Sequence, residues 1–281
     1  MLQGSMTRQR KRGGRDRRRA VTPPVQGTIH LRRLGEHVAL LEIDNPPRNT
    51  LGRAMRARFR ETLAALAADL SVRAVVVTGR GNAFCSGDDL REELHAVAGG
   101  GERGANLLDF ARLLDQLASF RAPVIAAING WCVGGGLELA LCCDVRLASH
   151  EAQFVCAGVN VGLMASAYRL PRLIGVGRAK HMLLTGLPHD ADTAERFGLV
   201  TAVHGPDALL PAAAAFAERV ASRAPLSVEA TKRVASRAPG LTPEEAQQAQ
   251  GRELRVLVRS ADHLAAVNAF LTKRAPVFTR S

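Results

Sequence analysis

The apolar residues of this chain recur at two different spacings, and the changes from one to the other divide it into elements. Residues 28–33 and 37–44 alternate apolar and polar side chains and are split at Gly35, which predicts a β-hairpin. Asn45-Pro46-Pro47 then predicts a turn, because proline fixes the backbone and removes a donor. Met55, Phe59, Leu63, Leu66 and Leu70 return every three or four residues, the mark of an amphipathic helix over about 53–70. The run 74–78 is apolar and β-branched and reads as a buried strand leading into Gly79-Arg80-Gly81. Asp89-Leu90-Arg91-Glu92 has the form of a capping box and predicts the start of another helix. Residues 98–104 combine glycine with charge and predict a mobile surface loop.

Further on, 107–117 is helical in period, 123–128 is a buried strand, and Gly134-Gly135-Gly136 opens directly into an apolar helix ending near Cys143. A strand follows at 144–149. From about residue 205 the pattern is helical throughout, with helices expected at 212–221, 227–235, 243–258 and 262–272. Strand, loop and helix repeating in this order predict an α/β architecture with parallel pairing.

With 281 residues, 47% of them hydrophobic, the chain can bury the core of one large domain. No apolar run approaches the ~18 residues needed to cross a bilayer, so no membrane partner is expected. Cys85, Cys132, Cys142, Cys143 and Cys156 form an odd set without metal-ligand spacing. They predict reduced core thiols, no metal site and a cytoplasmic chain. The net charge of +12 is concentrated, with eight basic residues and one acid between Arg8 and Arg19. That segment lacks apolar periodicity and ends at Pro23-Pro24, so residues 1–26 are expected to form a disordered basic arm. An inert or weakly phosphate-binding tail is the reading, rather than a nucleic-acid site.

Two motifs change the picture. Phe84-Cys85-Ser86-Gly87-Asp88-Asp89-Leu90 and Ala127-Ile128-Asn129-Gly130-Trp131-Cys132-Val133-Gly134-Gly135-Gly136-Leu137-Glu138-Leu139-Ala140 together resemble the crotonase, or enoyl-CoA hydratase/isomerase, superfamily. The likeness runs from about residue 28 to residue 278. It implies an α/β fold in which a spiral of ββα units over 27–204 is followed by a helical segment, 205–281, through which members trimerise. It also implies an acyl-CoA thioester as substrate, with coenzyme A entering as part of that substrate and no separate cofactor. The assembly it implies is a homotrimer or hexamer.

Such a substrate explains the residue types. Chemistry beside a thioester puts negative charge on its oxygen, and converging backbone N–H groups stabilise that charge, each by ~2.7–4 kcal/mol. Glycine lets the backbone come close, and a helix start adds its positive dipole end. By resemblance the donors are the N–H groups of Asp88 and Gly135, with Ser86, Asp89 and Gly134 beside them in the substrate site. Asp88 stands where relatives often keep a small apolar residue. Its carboxylate is therefore expected to point away from the oxygen, to a helix N-terminus, while Asp89 reads as an N-cap. Glu138, in the first turn of its helix, has the place of a base that activates water or removes an α-proton.

The second carboxylate that many members use falls at Gly158, after Phe154-Val155-Cys156-Ala157. That run resembles the 4-chlorobenzoyl-CoA dehalogenase branch, but the position of its nucleophilic aspartate falls near Ser166, which does not support that mechanism. Tyr168, Cys156 and Ser166 are the candidate substitute proton donors. Each also fits a structural role, as half-buried aromatic, core thiol and loop residue. Residues 162–171 are shorter than in relatives. The missing side chain at 158 is expected to leave room for a branched or aromatic acyl group, with Met164 or Tyr168 folding inward as the other outcome. Arg48 resembles a basic position near the CoA phosphates. Phe270 and Lys273 match a segment whose aromatic and lysine reach CoA. All three also fit ordinary surface side chains. The leading function is an enoyl-CoA hydratase-like lyase. The alternatives are isomerisation, thioester hydrolysis or decarboxylation through the same enolate, or a non-catalytic CoA- or RNA-binding role, since the family includes an AU-rich RNA-binding member.

Overall fold

The computed structural model describes residues 27–99 and 104–281; the basic arm expected at 1–26 and residues 100–103 of the expected surface loop lie outside the described residues. β1 (Thr28–Arg33) and β2 (Val38–Asp44) pair antiparallel as the hairpin pattern requires, and α1 (Arg53–Ala68) follows. Three turns of the spiral then each supply a longer strand and a three-residue one. They are β3 (Ala74–Gly79) with β4 (Ala83–Cys85), β5 (Val124–Ile128) with β6 (Trp131–Val133), and β7 (Val145–Ser149) with β8 (Gln153–Val155). Helices α2 (Leu90–Ala98) and α3 (Ala105–Ala118) come after β4, and α4 (Gly135–Cys142) after β6. After β8 come α5 (Arg169–Ile174), α6 (Val176–Thr185), β9 (Pro188–Asp190), α7 (Ala191–Phe197) and β10 (Ala202–His204). The longer strands form one sheet in the order β1-β2-β3-β5-β7-β10, and the short ones a second, β4-β6-β8-β9. The short strands are not visible in the sequence, because three residues cannot display a period of two.

The large sheet is covered on both faces. Val75, Val77, Val124, Ala126 and Ile128 pack with Phe59 and Leu63 of α1 and Leu113 and Leu117 of α3. Val38, Leu40, Val76, Ile125 and Ala127 point the other way, onto Leu209, Ala213, Ala217 and Ala221 of α8 (Pro206–Ala221). Double burial is why these strands read as unbroken apolar runs. The helical segment therefore begins inside the core, with the four-residue repeat of α8 lying flat on the sheet.

Two local expectations are corrected. α1 stops at Ala68 and leaves Leu70 exposed, because Asp69 Oδ1 accepts from Ser71 N–H at 2.9 Å and turns the chain. The capping box at Asp89–Glu92 does not form. Glu92 Oε2 instead accepts from Arg53 N–H at 2.7 Å, at the start of α1. Among the described residues no helix is long and apolar enough to cross a membrane.

α9 (Pro225–Arg237), α10 (Pro243–Leu257) and α11 (Ala261–Thr272) complete the chain. They are tied to the spiral through Glu229, whose side chain is 6% exposed. It accepts from Arg121 Nη1 at 2.9 Å and from Arg280 Nη2 at 2.8 Å. Burial works to raise the Glu229 carboxyl, but hydrogen bonds from Arg280 and Arg121 outweigh it and hold the group below the usual carboxylate range. A carboxylate lowered in this way stabilises the fold above its unfolded value of ~4.3 and loses that contribution as pH falls through the folded value. Glu229→Ala is expected to cost about 3 kcal/mol near neutral pH, the low end for a broken buried pair. The gap from the parent protein should narrow on acidification to about pH 3.5. Urea melts of both proteins at the two pH values check this, and a gap that stays constant would contradict it.

Candidate active site

β4 and β6 run parallel, with Cys85 opposite Cys132, so the loops that follow them leave the small sheet on the same side. Glycine is required where these loops meet. A Cβ on Gly87, which has a φ of 87°, would stand 2.6 Å from Gly135 N, and one on Gly136 would stand 1.9 Å from Cys85 O.

The hydrogen bonds of the two loops fix how their peptides face. Gly87 O accepts from Leu51 N–H at 2.7 Å. In a trans peptide the N–H points opposite to the carbonyl, so Asp88 N–H is directed away from Leu51. Gly134 O accepts from Glu138 N–H at 3.1 Å, which turns Gly135 N–H outward from the start of α4 by the same rule. Ser86 is pinned behind them, its N–H and Oγ both donating to Arg48 O at 3.1 and 2.9 Å. The Arg48 guanidinium itself lies 5.2 Å from the centre of the Trp131 ring.

The Asp88 side chain does turn away, but to a buried arginine and not to a helix N-terminus. Arg56, whose side chain is 0% exposed, donates to Asp88 Oδ1 and to Asp109 Oδ2, the latter at 2.8 Å. Burial pushes the Asp88 carboxyl up against the opposing pull of Arg56. Asp89 Oδ1 accepts from Arg91 N–H at 3.0 Å, as a capping residue would. The Arg91 side chain, bonded to the same carboxyl, holds it below the usual range against the effect of burial.

Glu138 lies in the first turn of α4, and one carboxylate oxygen accepts from Ser166 N–H. Ser166 is 4% exposed, has a φ of 60°, and its Oγ is buried with no hydrogen-bond partner among the described residues. The other two candidate donors differ sharply. Burial, and after it the charge of Glu138, pushes the Cys156 thiol up to about 12. Tyr168 is 58% exposed and its hydroxyl accepts from Arg169.

Gly158 does not face an open space, which overturns the expectation of a widened acyl pocket. A Cβ there would stand 2.9 Å from Ala165 N and 3.0 Å from Leu163 O. Leu163 N–H donates to Gly158 O at 2.8 Å and draws the 163–165 loop across it. The backbone fills the place, while Met164 and Tyr168 both stay exposed. Phe270 and Lys273 sit at the exposed end of α11, in the helical segment and not in these loops. A cleft of about 940 Å³ lies between Cys142, Asp144 and Arg169 and the α9 residues Val228 and Lys232, and neither Gly135 nor Glu138 lines it.

Sequence reasoning did not find Arg56. The signal was present, since it precedes Phe59 by three residues and so shares the apolar stripe of α1 with Phe59 and Leu63.

The model of the enoyl-CoA hydratase/isomerase family matches residues 33–281. A protein of Mycobacterium bovis named probable enoyl-CoA hydratase echA12 is 40% identical over 259 residues, covering 86% of this chain and 89% of that protein. The (E)-benzylidenesuccinyl-CoA hydratase of Thauera aromatica is 36% identical over 253 residues, covering 87% of this chain and 96% of that one. The crystal structure of an enoyl-CoA hydratase from Bacillus anthracis superposes with a TM-score of 0.85 at 29% identity, over 90% of this chain and 99% of that one. Agreement of this extent, in sequence and in the course of the backbone, means that the chain belongs to the enoyl-CoA hydratase/isomerase family.

Proposed function

We propose that the chain hydrates a 2-enoyl-CoA thioester. The observation that carries this reading is the meeting of the Gly87 and Gly135 loops at the start of α4, whose first turn carries Glu138. The thioester oxygen would lie between Asp88 N–H and Gly135 N–H, where α4 adds the positive end of its dipole. Water adds its oxygen to the β-carbon while Glu138 takes one of its protons, and the electron pair moves through the double bond to the thioester oxygen. The resulting enolate collapses as the α-carbon takes a proton. Coenzyme A arrives and leaves with the substrate, and no further cofactor enters the scheme. Arg48, Phe270 and Lys273 are proposed for the CoA portion, with the exposed position of each in its favour.

Family members with two carboxylates can divide the water and the α-carbon between them. Here the backbone of the 163–165 loop stands where the second would extend, and the same loop sets Ser166 against Glu138. A serine hydroxyl ionises too reluctantly to serve as the acid, and the Ser166 Oγ is buried, so the proposed part of Ser166 is to hold the Glu138 carboxylate through its backbone N–H. Glu138 then performs both proton transfers, taking the proton from water and returning it to the α-carbon. The names of the relatives support hydration over the isomerase, hydrolase and decarboxylase alternatives.

The exposed row Leu264, Val267, Phe270 and Leu271 on α11 supports self-association, and a homotrimer or a pair of trimers is proposed. Light scattering at micromolar concentration is expected to give at least three times the 30.0 kDa chain mass, and a monomer would contradict the assembly.

Glu138→Gln is expected to lower kcat for crotonyl-CoA hydration by at least ~10² with KM little changed, the usual worth of a general acid–base group. Full activity in that variant would move the chemistry elsewhere, and release of free CoA or a shifted double bond as product would favour an alternative reaction. Ser166→Ala, which keeps the N–H on Glu138, should change kcat little. Cys156→Ser and Tyr168→Phe should also change it little, and a loss of about tenfold or more in any one of the three would make that side chain the second proton donor. Gly158→Ala is expected to displace the 163–165 backbone and lower both kcat and Tm. A gain in activity toward bulky enoyl thioesters would restore the open-pocket view.

A further inference from the structure

The charged group behind the first oxyanion loop is closed on itself. Arg56 Nη1 donates to Leu51 O at 2.7 Å as well as to Asp88 Oδ1, and its Nη2 donates to Asn106 Oδ1 at 3.3 Å. Asp109, held by Arg56 Nε, also accepts from Arg60 Nη1 at 3.3 Å. Two arginines and two aspartates therefore balance, and Arg60 compensates Asp109 so that Arg56 is left to Asp88. Asp88 has little else. Its Oδ1 accepts from Asp89 N–H at 3.0 Å, and its Oδ2 is buried without a partner among the described residues.

The position of this carboxylate creates a problem that Arg56 answers. Asp88 contributes its own N–H to the proposed oxyanion pair, so its side-chain charge stands one residue's breadth from a developing anion. An uncompensated carboxylate there would repel the charge that the N–H groups attract. Arg56 also grips the loop mechanically. It holds Leu51 O, and the N–H of that same residue holds Gly87 O, the carbonyl of the peptide that presents Asp88 N–H.

We infer that Arg56 is the positioning and charge-balancing residue of the oxyanion hole, and that the hole works because the Arg56 guanidinium cancels the Asp88 carboxylate and orients the Leu51–Gly87 contact. This rests on the assignment of Asp88 and Gly135 as the oxyanion pair. Arg56 touches no reacting atom. Among the described residues, other charges near Asp88 are Glu92 of α2, which adds repulsion, the adjoining Asp89, and Asp109 of α3, reached through Arg56. Without Arg56 the group among the described residues that still works against the upward push of burial on Asp88 is Asp89 N–H. Its carboxyl would then be pushed further above the usual carboxylate range, and protonation on the acid side would relieve the repulsion.

The test compares Arg56→Lys, Arg56→Met and Arg56→Met/Asp88→Asn with the parent. The readouts are crotonyl-CoA kinetics between about pH 5.5 and pH 8 and the thioester C=O stretch of bound crotonyl-CoA by infrared difference. Arg56→Met should lower kcat by about 10²-fold, comparable to losing one oxyanion donor, with KM nearly unchanged. Its activity should recover relative to the parent as pH falls, and its C=O stretch should move back toward that of free crotonyl-CoA. Arg56→Lys should keep most of the activity. The double variant should regain at least about tenfold over Arg56→Met, because removing the carboxylate removes the need for the guanidinium. If Arg56→Met does not fold, a folded double variant that turns over is the expected result. A folded double variant as inactive as Arg56→Met, without recovery at low pH, would reduce Arg56 to a packing role and overturn the inference. The underlying assignment fails differently, through a parent protein that neither hydrates crotonyl-CoA nor shifts its C=O stretch, and the inference then falls with it.

Discussion

The close approach of two backbone loops governs this molecule. Gly87 lies against Gly135 N, and Gly136 lies against Cys85 O, so near that a Cβ at Gly87 or Gly136 would collide with backbone. That contact sets the separation of β4 from the start of α4, which fixes where Glu138 stands. The spiral around it serves to deliver the two loops from the same edge of the small sheet. Burial of the large sheet on both faces, by α1 and α3 on one side and α8 on the other, keeps those deliveries rigid.

Orientation within the loops comes from ordinary hydrogen bonds placed one peptide away from the chemistry. Leu51 N–H holds Gly87 O, and Glu138 N–H holds Gly134 O. Because carbonyl and N–H oppose each other across a trans peptide, satisfying each carbonyl inside the protein leaves the N–H behind it pointing outward. Glu138 thus has two separate parts in the site. Its backbone helps to aim Gly135 N–H, and its side chain supplies the carboxylate.

On the other side of Glu138 the chain folds closely over Gly158. With glycine at 158, the chain from Leu163 to Ala165 can lie directly over the backbone, held by Leu163 N–H on Gly158 O. The space beside Gly158 is therefore taken by main chain, and Ser166 arrives beside Glu138 in a left-handed conformation with its hydroxyl unpaired among the described residues. A similar economy operates at Asp88, where a carboxylate in an awkward place is matched by one buried arginine.

What the sequence alone determined is what local chemistry encodes. Apolar spacing located the long strands and most of the helices, because the period of a segment follows from its own backbone geometry. The glycine motifs located the two loops that meet at Gly87 and Gly135, since a positive φ and a close approach both demand glycine at fixed positions. Only the tertiary structure decided which side chains face those loops. Arg56 meets Asp88 across 32 residues and Asp109 across 53, and Glu138 meets Ser166 across 28. Nothing in the neighbourhood of Gly158 announces that a backbone five residues later will cover it. Such contacts depend on the path of the chain between the partners, and a path of that length is set by the packing of the whole core.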